Sequence, residues 1–315
     1  MLLEVNDLKT YYYTLGGVVK AVDHISLGLS EKEALGIVGE SACGKTTTAL
    51  SIMRLLPPHT TTTGEVLLDG ENILNISDGE FRKITWKKIS MVFQSAMNSL
   101  NPMFRIKDQI TEAILLHQRI SKQEALDRTR DLMEMVRIDK ARLNDYPHEL
   151  SGGMKQRVVI AMALANYPSL VIADEPTTAL DVVVQSQILK LMKDLQTTMG
   201  LSLILITHDL AVVAGICEKL AVMYAGKIVE YGDVPTLFRK PSHPYTERML
   251  NSFPSLSRSR NERVTSIPGN PPSLINPPSG CRFHPRCPYA REVCKKEEPR
   301  MVKMGKGCTV MCHLY

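Results

Sequence analysis

The segment Leu150-Ser-Gly-Gly-Met-Lys-Gln-Arg157 decides how this chain reads, because of what stands on either side of it. Upstream, Gly39-Glu-Ser-Ala-Cys-Gly-Lys45-Thr46 has the spacing of a phosphate-binding loop. Downstream, the apolar run Leu170-Val-Ile-Ala ends in two carboxylates, Asp174 and Glu175. Glycines in such a loop let backbone N–H groups turn inward, and the helix that follows adds its positive N-terminal end. Lys45 is then placed for the β- and γ-phosphates of a nucleotide, and Thr46 for a magnesium ion. Asp174 would hold the same ion through water, while Glu175 would orient or deprotonate an attacking water.

Composition bounds the remaining possibilities. With 315 residues and 44% hydrophobic content, the chain can bury a substantial core in one or two domains. No run of about 18 uncharged apolar residues occurs, so no membrane-spanning helix is expected. An acidic residue at position 4 and the lack of a basic start argue against a signal peptide, which predicts a cytoplasmic protein. The formal charge of +5 is uneven: residues 281–315 hold eight Lys/Arg against three Glu, so the rest is neutral. Such a tail suits nucleic acid, a phospholipid surface, or an anion held within the tail itself.

Apolar patterning predicts strands over 2–8, 18–29, 34–38, 64–68, 89–93, 170–173, 202–207 and 220–224. Helices are expected over 46–56, 108–118, 123–136, 156–166 and 183–199. Strands alternating with helices argue for a mostly parallel sheet covered on both faces. From residue 241 onward the composition shifts: eleven of 18 prolines and five of seven cysteines lie there. Disulfides are disfavoured in a reducing compartment, so the cysteines read as metal ligands. Their spacing matches neither the paired CxxC of zinc ribbons nor the common ferredoxin run, leaving zinc and an iron–sulfur cluster open.

Phosphate loop, LSGGMKQR and terminal carboxylates, in that order, resemble the ATP-binding cassette (ABC) ATPases over most of residues 1–240. The resemblance implies an α/β P-loop NTPase fold: a mostly parallel core sheet, an antiparallel β subdomain, and a helical subdomain inserted at about 95–160. A Pro-rich connector at 241–280 and a small cysteine-rich module at 281–315 would follow. By the same resemblance, ATP is held by Tyr12, Gly39, Glu40, Ser41, Ala42, Cys43, Gly44, Lys45, Thr46 and Thr47. Tyr12 would stack on adenine, Gln94 would touch metal and water, and His208 would reach the γ-phosphate. Thr46, Gln94 and Asp174 make the Mg²⁺ set, and Glu175, His208 and Gln94 the catalytic set. Ser151, Gly152, Gly153 and Gln156 would bind ATP held by a partner subunit, with Asp181 crossing that dimer interface.

The stretches 94–102, 146–149 and 242–246 look like the dipeptide/oligopeptide importer branch and would face membrane subunits. That branch also carries nickel or oligosaccharides. It implies a second ATPase subunit in a heterodimer, two permeases and an extracytoplasmic substrate-binding protein, with this chain peripheral on the cytoplasmic face of the membrane. The C-terminal Cys-x5-Cys-x6-Cys…Cys-His pattern of oligopeptide-type ATPases is associated with a [4Fe–4S] cluster, here on Cys281, Cys287, Cys294 and Cys312, with Zn²⁺ as the alternative. An anionic cluster would account for the local positive charge, and it would act as a structural staple or a redox regulator. A competing reading, a soluble cassette that binds nucleic acid through its basic tail, rests on charge alone.

Overall fold

A computed structural model describes residues 1–94, 99–252, 267–305 and 307–315. Residues 95–98 of the importer-like stretch, 253–266 of the connector and Lys306 of the basic tail lie outside the described residues. The chain divides into two compact units, one of residues 1–29, 34–74 and 206–315, the other of 30–33 and 75–205.

The first unit contains an antiparallel sheet of four strands ordered Gly17–Leu29, Leu3–Thr14, Thr60–Leu68 and Glu71–Asn72. Leu3, Val5 and Leu8 are buried while Asn6 and Asp7 are exposed, and a register shift between Val5 and Leu8 accommodates this break in alternation. The strand outruns the expected 2–8 because the polar residues Lys9 to Thr14 pair on both edges, with Gly17–Leu29 and Thr60–Leu68. A second set of strands runs Met301–Gly305, Cys308–Met311, Lys227–Asp233, Lys219–Tyr224 and Ala34–Val38. Only the last two pair in parallel, Leu35 opposite Lys219 through Val38 opposite Val222. The cysteine-bearing end of the chain is thus woven into the unit that carries the phosphate loop. Strand Cys308–Met311 pairs with Lys227–Asp233, burying Cys308 and Val310.

The second unit holds strands Ser202–Ile206, Leu170–Asp174 and Ile89–Val92, the last two parallel and buried at every position. Its helices include Ile106–Leu115, Lys122–Met135, Gly152–Ala163 and Val182–Met199. Helix Lys122–Met135 starts at a capping box: Ser121 accepts from the Glu124 N–H, and Glu124 accepts from the Ser121 N–H at 2.7 Å. Such a cap is worth about 1 kcal/mol. Ile106, Ile110 and Ile114 line one face of their helix at i, i+4, i+8 and are fully buried with Leu132 and Met133. Each contributes about 1.5–3 kcal/mol through burial.

Candidate functional site

Strand Ala34–Val38 is buried throughout and delivers the chain into the phosphate loop, after which helix Lys45–Ile52 begins with Gly44 as its N-cap at φ 107°. Two glycines are dictated by crowding. A Cβ on Gly39 would stand 2.1 Å from the Met223 carbonyl oxygen, and one on Gly44 2.1 Å from that of Ala21. Neither position admits a side chain. Lys45 is buried and folds back on the loop, its Nζ 2.8 Å from the Gly39 carbonyl oxygen and 2.9 Å from that of Glu40. Ser41, Ala42 and Thr46 are exposed, while the Cys43 thiol is buried and pushed up by that burial.

Ala42 sits in left-handed backbone at φ 60°, where a side chain costs about 1–2 kcal/mol. Glycine would remove that strain but would enlarge the unfolded ensemble. Ala42→Gly is therefore expected to raise the stability of the first unit by a net of about 0.5–1 kcal/mol. The denaturant midpoint at constant slope measures it, and a lowered midpoint would contradict it.

Glu40 is bonded through both its backbone and its carboxylate to residues far along the chain. Its N–H donates to the Tyr245 hydroxyl at 2.9 Å, and its carboxylate accepts two hydrogen bonds from Arg286, at 2.6 and 2.8 Å. A carboxylate facing a triphosphate would repel it; here the charge is turned away onto a cation.

Of the three consecutive tyrosines, Tyr12 is the one whose hydroxyl reaches the loop's helix, donating to Thr47 Oγ1 at 3.3 Å. Tyr11 points to the other face of the strand and donates to Asp23, while Tyr13 is exposed. His208 is exposed just past strand Ser202–Ile206. The preceding Thr207 N–H bonds the Ile37 carbonyl at 3.2 Å, in the strand that feeds the loop.

In the second unit, Asp174 is buried at the end of its strand and Glu175 follows in left-handed backbone at φ 45°. The Glu175 carboxylate accepts from Gln94 Nε2 at 3.0 Å and from Thr178 Oγ1 at 2.9 Å. Two residues expected to act together from positions 81 apart in sequence are therefore in direct contact. Gln94 thus gives its amide nitrogen to Glu175.

Ser151 caps helix Gly152–Ala163, its hydroxyl accepting from the Met154 N–H at 3.4 Å, and Ser151 and Gly152 are exposed. Gly153 is small for a packing reason: a Cβ there would lie 2.6 Å from Val184 Cγ1. Gln156, by contrast, is buried. Five helical steps turn it about 140° from Ser151, onto the inward face. Asp181 is exposed and caps helix Val182–Met199 through the Val184 N–H at 2.9 Å.

Four of the C-terminal cysteines form an electrostatically coupled group. Burial first, then the neighbouring Cys312, Cys294 and Cys287, push the Cys281 thiol up to about 11. Burial likewise raises Cys287 and Cys312, each of which is also raised by Cys294. Every sulfur in the group accepts a backbone N–H: Cys281 from Phe283, Cys287 from Tyr289, Cys312 from Leu314, and Cys294 from Arg291 at 3.4 Å. Cys308 stands apart, wedged where a Cβ on Gly232 would come within 2.4 Å of its sulfur. Among the described residues no set of three or more His, Cys, Asp or Glu is placed to hold a metal ion. The local positive charge is not all gathered around these thiols, since Arg282 is bound to Asp23 and Arg286 to Glu40.

The segment 242–246, expected to face membrane subunits, is instead core: His243, Tyr245 and Thr246 are at most 1% exposed. Tyr245 packs on Tyr224 and Phe283 with ring centroids 4.7 and 5.4 Å away. Burial pushes His243 down to about 3, keeping it neutral, and its Nδ1 accepts from the Tyr245 N–H at 3.0 Å. Sequence reading missed Arg286 and Tyr245 as neighbours of the nucleotide loop, and Arg282 as the partner of Asp23 in strand Gly17–Leu29. Nothing in the local pattern marks them, because their partners are about 200 or more positions away.

The sequence matches the ABC transporter family over residues 22–178 and the oligopeptide/dipeptide transporter C-terminal region over 229–294. It is 48% identical to a probable peptide ABC transporter ATP-binding protein of Sinorhizobium fredii, across 99% of this chain and 94% of that one. It is 49% identical to the oligopeptide transport ATP-binding protein OppD of Bacillus subtilis, across 96% and 86% of the two chains. Among solved structures, the dimeric bacterial ABC transporter cassette MJ0796 superposes with a TM-score of 0.66 at 30% identity, covering 74% of this chain and 98% of that one. The same cassette bound to ADP and Pi matches at 29% identity with the same TM-score and coverage.

Proposed function

The chain belongs to the ABC transporter family, and on that premise we propose that it is the ATP-hydrolysing motor subunit of a dipeptide or oligopeptide importer. Oligosaccharides or nickel, carried within the same branch, are the alternative cargoes. The observation that carries the reading is a pair of phosphate-type helix starts in one chain. One is the loop before Lys45–Ile52; the other is the exposed Ser151-Gly152 before Gly152–Ala163. A single nucleotide uses one such end, so the second serves ATP held by another subunit.

Phosphates bound in the loop would draw Lys45 off the Gly39 and Glu40 carbonyls and onto the β- and γ-oxygens. Tyr12 would stack on the base, and backbone N–H groups of Gly39 and of residues 41–47 would line the phosphates. Thr46, Gln94 and Asp174 offer the hard oxygen donors that suit Mg²⁺, which would neutralise charge on the β- and γ-oxygens. Glu175, held by Gln94 and Thr178, would orient the attacking water and take its proton, with His208 against the γ-phosphate. Ser151, Gly152 and Gly153 would close on the partner's ATP, and the exposed Asp181, Val182 and Val183 would lie on that dimer interface.

In this reading the partners are a second, similar ATPase subunit, two permeases and an extracytoplasmic binding protein, and the chain sits peripherally at the cytoplasmic face of the membrane. Among the described residues no helix is long and apolar enough to cross a membrane. Residues 1–240 would be the motor, 241–280 a connector and 281–315 the cysteine-bearing element. ATP hydrolysis by the purified chain, lost in Lys45→Ala, tests the proposal; undiminished hydrolysis in that variant would remove the loop from it.

By resemblance to the C-terminal region of oligopeptide-type ATPases, Cys281, Cys287, Cys294 and Cys312 would hold a [4Fe–4S] cluster, with Zn²⁺ as the alternative. The four N–H donors would stabilise the thiolates. Purified anaerobically, the chain is expected to carry about four iron and four sulfide with visible absorbance, and chelation should lower its melting temperature. Zinc without sulfide would overturn the cluster.

A further inference from the structure

We infer that Arg286 is a positioning residue for the nucleotide loop, fixing the loop through the Glu40 carboxylate. Arg286 ends the short turn His284–Arg286, between two of the cysteines, and is buried. Nε donates to the Pro268 carbonyl at 2.8 Å, and Nη1 to Glu40 Oε2 at 2.6 Å and the Tyr224 hydroxyl at 3.3 Å. Nη2 donates to Glu40 Oε1 at 2.8 Å and the Ile267 carbonyl at 3.4 Å. Five hydrogen bonds match the five N–H donors of a guanidinium, so its orientation is fully specified. The two bonds to Glu40 form the parallel fork that lysine cannot reproduce.

Glu40 is the second residue of the loop, and its backbone is pinned as well, by the Tyr245 hydroxyl. Lys45 spans the carbonyls of Gly39 and Glu40. When that ammonium moves to phosphate oxygens, both carbonyls lose their cation, and a loop held by Lys45 alone would relax. Arg286 and Tyr245 hold residue 40 without contacting the phosphates, so the loop keeps its shape while Lys45 changes partner. Preorganisation of this kind raises affinity by removing the reorganisation cost of binding. The inference rests on the ATP-binding reading above and adds that ATP affinity depends on the cysteine-bearing segment through one ion pair.

The test uses the full chain with its metal content intact, in the variants Arg286→Gln, Arg286→Lys, Glu40→Gln and the double Glu40→Gln/Arg286→Gln. Mg-ATP affinity is measured by calorimetry and steady-state hydrolysis by phosphate release. Each glutamine variant should weaken ATP about tenfold and raise KM to match, with kcat changed less than about twofold. Arg286→Lys should recover only part of the affinity, and the double variant should be no weaker than either single one. Glu40→Gln leaves the cysteine segment untouched, so it carries the test if Arg286→Gln loses iron or fails to fold. Wild-type affinity in Glu40→Gln, or losses that add in the double variant, would overturn the inference while leaving the ATPase reading standing. A wild-type chain that neither binds nor hydrolyses ATP would remove both.

Discussion

Replacing Glu175 by glutamine is expected to cut ATP turnover about 10²–10⁴-fold while ATP stays bound. The carboxylate holds two hydrogen bonds, from Gln94 at 3.0 Å and Thr178 at 2.9 Å, and a glutamine carbonyl oxygen can accept both. Shape and ligation are kept, and only the proton acceptor is lost. Single-turnover hydrolysis separates this from impaired binding: ATP affinity should hold while the chemical step collapses. Turnover within a factor of two of wild type would take Glu175 out of the reaction. On the proposal of a composite dimer site, the same variant should favour closed dimers with ATP.

The second large effect concerns stability. Asp23 is buried and bound by the Tyr11 hydroxyl and by Arg282, with Lys227 3.3 Å away; both cations are themselves buried. This network ties the cysteine-bearing end of the chain to strand Gly17–Leu29. Asp23→Ala leaves two buried cations facing a hole, although Lys227 keeps Glu298 at 2.6 Å and Arg282 keeps the Ala225 carbonyl. The loss expected is about 3 kcal/mol, near the lower end for breaking a buried pair. For a unit of this size that is a drop of roughly 6–12 °C in melting temperature.

Acid should expose the same network. Burial raises the Asp23 pKa, but the Tyr11 hydroxyl bond and the charges of Lys227 and Arg282 outweigh it and hold the carboxyl below its ordinary value. A depressed folded pKa contributes stability that is complete above the ordinary value and lost as pH falls through the folded one. Wild type should therefore lose stability more steeply than Asp23→Asn below about pH 4. Denaturant midpoints at pH 7 and pH 3 measure it, and parallel profiles would contradict it.

Much of the site was legible because its chemistry is local. The Gly-x4-Gly-Lys-Thr spacing forces backbone crowding that only glycine tolerates, as at Gly39 and Gly44. The run 170–174 is buried whole, as its unbroken apolar pattern implied. Where reading failed, a neighbour distant in sequence had intervened. Segment 242–246, expected to face membrane subunits, buries His243 and Tyr245 against Tyr224 and Phe283. Strand Lys227–Asp233 gains partners on both sides from residues earlier and later in the chain.

By itself, the sequence determined which residues can meet a triphosphate, because loop glycines, the lysine and the helix start lie within eight consecutive positions. Tertiary structure alone decided what holds that loop in place: Arg286 and Tyr245, which come to Glu40 from 246 and 205 residues away. The physical reason is range. Backbone sterics and helix dipoles act over a few residues and leave a pattern in the sequence. A bidentate ion pair between distant segments depends on how whole strands pack, and leaves none.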